Sequence, residues 1–176
     1  MTKLDLLKFV PFRMNRLAAE ISQALSSEYR DRYGIDIPEW RVIATLGFRG
    51  APCSAQSIVD STRTHKSTIS RAVASLIARG LIERVENPAD RRENSLQLSR
   101  EGKTLYQGLI PRLLSREREI LSCLTPSELS HFEHALTKIE QGLGLPQTTD
   151  VVAAAPHDTA AGEPGTHARP GFVSER

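Results

Sequence analysis

The sequence predicts a mainly α-helical chain with one small β-hairpin in its middle and long helices at both ends. Three observations carry this. Ile69, Ala72, Val73, Leu76 and Ile77 recur at i, i+3, i+4, i+7 and i+8, which is one apolar face of a helix. Two β-prone runs follow at once, 81–86 and 95–99, joined by Asn87-Pro88-Ala89-Asp90-Arg91-Arg92, whose Asn-Pro opening favours a turn. Further on, Leu129, Phe132, Leu136, Ile139 and Leu143 alternate spacings of three and four, the seam of a coiled coil. One helix cannot cover such a seam, so it is expected to pack on the first helix and on a second subunit.

In chain order, Pro11 is tolerated only in a first turn, so a short lead-in to Val10 is expected before a helix over about 11–32. Leu17, Ile21, Ala24 and Glu28 trace one stripe of it, with Met14, Ala18 and Leu25 alongside. Pro38 opens a second helix, 38 to about 48, where Ile37 cannot cap and either Asp36 or the preceding loop must satisfy the free N–H groups. Ser54 caps a short helix over 54–61 with Ile58 and Val59 inward. The next helix is expected over 65–79, capped by Thr64 and closed by Gly80 in the left-handed conformation. After the hairpin Ser99 starts a helix over 100–122, in which Pro111 predicts a kink or break near Gly108. Thr125-Pro126-Ser127-Glu128 is a capping box with proline in the first turn of the last helix. From Leu145 onward the composition turns to Ala, Thr, Pro and Gly, and residues 145–176 are expected to be a disordered tail.

The helix over 65–79 also carries chemistry. Opposite its apolar face stand Lys66, Ser67, Ser70, Arg71 and Ala74, with no acid among them, a surface suited to a polyanion. The window 63–92 holds seven basic residues against three acidic ones in a chain whose net charge is only +2. Positive charge is therefore concentrated where nucleic acid would sit. In the order Ser54, this helix, R-G-L-I-E-R, D-R-R, then L-S-x-E-G, residues 10–143 resemble the multiple-antibiotic-resistance regulator (MarR) family. The resemblance implies a winged helix-turn-helix over about 36–99, with terminal helices, about 11–33 and 100–143, forming a dimerisation region within a domain of 1–144. It implies double-stranded DNA, a near-palindromic operator, as partner. Ser54, His65, Lys66, Ser67, Thr68, Ser70 and Arg71 would then touch DNA from the helices, and Arg91 and Arg92 from the wing, with Asp90 orienting Arg92 by an ion pair. The family's usual cap on the second helix is Thr or Ser, and Ile37 departs from it.

The family also implies a small-molecule effector. Phe9, Phe12, Arg13 and Arg16 are spaced i, i+3, i+4 and i+7, so two rings and two guanidinium groups share a face if the lead-in is helical. An apolar body beside a fixed cation suits an aromatic acid or its thioester. Phe12, Arg13 and Arg16, with Trp40 covering the ring, are the candidate effector residues; the alternative is that both arginines are solvated, the Phe pair lies in a subunit interface and Trp40 is core.

Several classes are excluded or disfavoured. The chain has no G-x-S-x-G, no Walker loop and no Cys, His and acid arranged for nucleophilic attack, so no enzyme and no cofactor is expected. His131 and His134 lack a third ligand at helical spacing and read as a solvated face, not a metal site. Charged residues interrupt the N-terminal apolar stretch and no run approaches a membrane span, which points to a cytoplasmic, nucleoid-associated protein. Cys53 and Cys123 show no C-x-x-C spacing; they read as small apolar fillers, although Cys53 stands just before a helix start whose dipole could lower its pKa. The expectation is a homodimeric regulator of aromatic-compound catabolism or efflux genes, released from DNA by its ligand. Its rivals are a redox-controlled regulator acting through Cys53 or Cys123 and a winged-helix protein-interaction module that never touches DNA.

Overall fold

The computed structural model describes residues 3–86 and 94–145. Six helices and one hairpin follow in the order α1 (Val10–Tyr33), α2 (Ile37–Arg49), α3 (Ala55–Thr62), α4 (Lys66–Ala78), β1 (Ile82–Glu86), β2 (Asn94–Leu98), α5 (Arg100–Leu121) and α6 (Pro126–Gly142). The strands pair antiparallel, Ile82 opposite Leu98 and Arg84 opposite Leu96. Cys53 adds a one-residue bridge on the other side of Leu96, its N–H donating to the Leu96 carbonyl at 3.0 Å and its own carbonyl accepting at 2.8 Å. The expected tail lies outside the described residues from 146 onward. Among those described, no helix is long and apolar enough to cross a membrane.

The core belongs to the middle of the chain. Val42, Ile43 and Leu46 of α2, Ile58 of α3, and Ile69, Val73 and Leu76 of α4 meet Leu96 and Leu98 of β2 and Leu105 and Leu109 of α5, all buried. The α4 sequence is rich in Ser, Thr and β-branched residues, each a few tenths of a kcal/mol poorer in a helix than Ala. Burying four side chains, Ile69, Ala72, Val73 and Leu76, outweighs that at about 2 kcal/mol for each of the larger three. Trp40 is stacked between Tyr29, 5.5 Å away, and Tyr106, 6.2 Å away, with interplanar angles of 18° and 19°. This ladder fastens α1, α2 and α5 together.

The caps decide the boundaries. Asp36 resolves the open question at α2: its carboxylate accepts from Glu39 N–H at 2.8 Å while Glu39 accepts from Asp36 N–H at 2.9 Å. Thr125 and Glu128 make the reciprocal bonds expected at α6. α1 starts at Val10, one residue earlier than expected, with Pro11 in its first turn. α4 is capped by His65, not Thr64: His65 Nδ1 accepts from Ser67 N–H at 3.4 Å, whereas the Thr64 hydroxyl accepts from Arg41 at 3.0 Å and donates to the Thr62 carbonyl at 3.2 Å. α4 therefore begins one residue later than expected. Gly80, at φ +68°, makes the left-handed turn into β1. Of the kink or break expected near Gly108, α5 shows no break: it runs as one helix through Pro111. The proline costs the helix one hydrogen bond, but Leu105 and Leu109 before it are buried and Leu113 after it packs against the same core.

Candidate nucleic-acid interface and effector face

The turn between α3 and α4 fixes how α4 is presented. Arg63 sits at φ +50°, the one left-handed residue other than glycine among those described, a conformation that costs an L-residue roughly 1 kcal/mol. Arg41 of α2 reaches across to Thr64 and braces the turn. Beyond it Lys66, Ser67, Ser70, Arg71 and Ala74 of α4 are exposed, Thr68 is half-buried, and the helix contains no acid. His65 is exposed at the cap and Ser54, half-buried, caps α3 by accepting from Ser57 N–H at 3.2 Å. His65, Lys66, Ser67, Thr68, Ser70 and Arg71 thus follow one another at the cap and along the first half of α4, while Ser54 stands at the head of α3. Asp90, Arg91 and Arg92, the expected wing contacts and ion pair, lie outside the described residues.

One polar cluster behind α4 escaped sequence reasoning. Glu39 is only 6% exposed. Its carboxylate accepts from Ser75 Oγ at 2.6 Å and from Arg79 Nη1 at 3.4 Å, besides the Asp36 N–H. Arg79 also donates to the Gly34 carbonyl at 3.1 Å and, closely, to the Tyr33 carbonyl. Sequence reading named Asp36 but not Glu39, whose bonds reach residues 36 and 40 positions away.

The candidate effector residues are not gathered in one place. Arg13 and Arg16 border a hollow of about 560 Å³ with Leu7, Val10, Met14, Leu17 and Glu20. Phe12 is exposed on the same half of α1. Trp40 borders a different space, an apolar cleft of about 540 Å³ between α1, α5 and α6. Its ring is stacked with those of Tyr29 and Tyr106. Trp40 is partly buried against the core and stands apart from the arginines of the α1 hollow.

The same cleft holds the seam. Phe132 and Leu136 face Met14, Leu17, Ile110 and Leu114 across it. No residue of α6 is buried; Leu129 and Leu136 are half-buried, while Phe132, Ile139 and Leu143 are exposed. Cys53, in contrast, is buried, and burial pushes its thiol up from the ordinary value, with Arg49 opposing weakly. Desolvation thus opposes, at Cys53, the lowering that the helix start could give. Cys123 is exposed.

A positioning helix, an exposed cationic helix and an antiparallel hairpin, in that order and around one core, define a winged helix-turn-helix regulator of transcription. Residues 33–93 match the profile of the MarR family. The chain is 30% identical over 132 residues to the HTH-type transcriptional regulator PecS of Dickeya dadantii, covering 74% of this chain and 79% of that one. It belongs to the MarR family. Among solved structures it is similar to a MarR/EmrR family regulator from Acinetobacter (TM-score 0.70, 26% identity, 80% of this chain and 99% of that one). It has the same fold as Bordetella bronchiseptica BpsR, whose DNA binding is regulated by 6-hydroxynicotinic acid (TM-score 0.68, 21% identity, 79% and 98%).

Proposed function

We propose that the chain is a homodimeric, ligand-released repressor that acts in the cytoplasm on the nucleoid, reading a near-palindromic operator with one α4 and one wing per subunit. The observation that carries this reading is the acid-free, exposed face of α4 from Lys66 to Ala74. Lysine there neutralises phosphate, while Arg71, near the middle of the helix, can bond guanine O6 and N7 or clamp a phosphate. Residues 1–144 act as the regulator domain, Arg92 enters the adjacent minor groove with Asp90 orienting it, and Arg91 touches DNA beside it.

The uncovered seam of α6 supports the dimer. Phe132, Ile139 and Leu143, together with Met14 and Leu17 of α1, leave a continuous apolar surface that a second copy can cover. Two α4 helices held by such a frame read half-sites about one helical turn, roughly 10 base pairs, apart. Because both half-sites must be met at once, a small change in the frame forfeits much of the affinity.

For the effector, the hollow on α1 supports a small aromatic acid or its thioester. Arg13 and Arg16 stand beside apolar wall there, and neither is paired with an acid among the described residues. BpsR, of the same fold, is regulated by a compound of this class. A ligand favouring the non-binding dimer by about 3 kcal/mol lowers operator affinity more than a hundredfold. The controlled genes are then those for catabolism or efflux of such compounds. Selection of random duplexes on the purified protein tests the reading: a near-palindromic consensus, released by aromatic acids including 6-hydroxynicotinic acid, supports it, and no enrichment contradicts it.

A further inference from the structure

α4 is held to its neighbours by two kinds of contact. On its inward face Ile69, Ala72, Val73 and Leu76 meet α2, α3 and the hairpin, but apolar contact is non-directional. It holds the helix down without fixing its roll or its axial position to better than a side chain's slack. At the C-terminal end the contact changes character. Ser75 Oγ and Arg79 Nη1 both end on the Glu39 carboxylate, and the same guanidinium spans the Tyr33 and Gly34 carbonyls at the end of α1. Among the described residues no other hydrogen bond or ion pair joins α4 or its C-cap to another helix.

From this geometry we propose that Glu39, Ser75 and Arg79 are positioning residues for operator readout, a bracket that sets the roll and depth of α4 relative to the end of α1. The inference rests on α4 being the reading helix. Each of the three is held by a partner behind α4: Glu39 is buried, Ser75 is half-buried and donates to it, and Arg79, though exposed, donates to the Tyr33 and Gly34 carbonyls. Charge-assisted bonds that end on the buried Glu39 carboxylate are directional, so a small rotation of α4 breaks them, and they penalise the rotated states that apolar packing tolerates. Arg71 lies one turn of helix from Ser75, four residues on, so a fixed Ser75 fixes where the Arg71 side chain departs. Lysine cannot replace Arg79, because one ammonium cannot span two carbonyls and a carboxylate in the fork geometry.

The test uses the full chain, a duplex selected on the wild-type protein and a scrambled duplex of the same composition. Ser75→Ala, which leaves the charge unchanged, is the deciding variant; Arg79→Lys and Ser75→Thr accompany it. The expected result is a five- to twentyfold loss of affinity for the selected duplex with Ser75→Ala and Arg79→Lys, an unchanged affinity for the scrambled duplex, an unchanged salt slope on it, and recovery with Ser75→Thr. Urea unfolding of each variant separates misfolding from mispositioning, since misfolded protein loses both duplexes in proportion. Wild-type discrimination in Ser75→Ala and Arg79→Lys, or a proportional loss on both duplexes, overturns the bracket and leaves DNA binding standing. Failure of the wild-type chain to enrich any duplex removes both.

Discussion

Gly102 lies against the carbonyl oxygen of Leu81, so close that a Cβ at position 102 would overlap it. The contact explains the L-S-x-E-G sequence in physical terms. Ser99 caps α5 by accepting from Gly102 N–H at 3.0 Å and donates to the Gly80 carbonyl at 2.7 Å, and the missing side chain at 102 lets the helix start dock on the turn into the wing. Because the obstacle is backbone, Gly102→Ala is expected to destabilise the fold by about 3 kcal/mol. Urea unfolding measures it; a loss under about 0.5 kcal/mol, within the range of ordinary surface changes, would mean the turn yields freely.

Cys53 and Cys123 are expected to behave differently towards a thiol reagent. Cys123 is exposed and should react in the native state, whereas Cys53, buried with its pKa raised from 9.0, should react only as the fold opens. The sign follows from the raised value. The contribution of the buried neutral thiol is fully present below pH 9 and is lost as pH rises through the folded value. Tyr29, raised by burial from 10.0, adds to the same alkaline loss. Unfolding midpoints between pH 7 and pH 10.5 should therefore fall, and fall less in Cys53→Ala. Equal labelling rates for the two thiols in folded protein would contradict the account.

Much of this arrangement was legible in the residues, and the limits are physical. Helical spacing identified the buried and exposed faces of α4 because Ile69, Ala72, Val73 and Leu76 recur with the turn of one helix. Ser54, Ser99 and Thr125 were legible as caps because capping is local. His65 was not, since the choice between it and Thr64 depends on Arg41, 23 residues away. Local sequence left kink and break open at Pro111, and core packing on both sides of it holds the helix in one piece. The separation of Trp40 from Arg13 and Arg16 was invisible for a related reason: periodicity orders side chains around one helix but does not say which helix comes to lie opposite.

The seam on α6 gives an assembly prediction. Leu136 lines the apolar cleft and is half-buried in one chain, so Leu136→Arg places a charge where a second copy is proposed to pack. Sedimentation should show wild-type dimers at micromolar concentration and monomers or aggregates for the variant, with operator affinity reduced at least a hundredfold once the two half-sites are no longer linked. A stable wild-type monomer would remove the dimer from the account.

Arg16 joins α1 to regulation. A carboxylate entering the hollow beside Leu7, Val10 and Leu17 loses hydration that a bidentate guanidinium can replace. Arg16→Ala should keep wild-type operator affinity and lose release by aromatic acids, whereas Trp40→Phe should keep both because Trp40 does not border the hollow beside Arg16. Fluorescence anisotropy of a labelled operator, titrated with acid, reads both. An Arg16→Ala protein that responds as the wild type does would show the residue to be a solvated surface cation.

The most direct test of the central claim, that the exposed face of α4 reads DNA, is the affinity of Arg71→Ala for the selected operator and for its scrambled counterpart at fixed salt. Arg71 is exposed on α4, so its loss should leave the fold intact. The account predicts a cost of about 1 to 3 kcal/mol on the operator, with discrimination relaxed at one base position per half-site where the contact is to a base and left unchanged where it is to a phosphate. Operator affinity and discrimination equal to those of the wild type would contradict it.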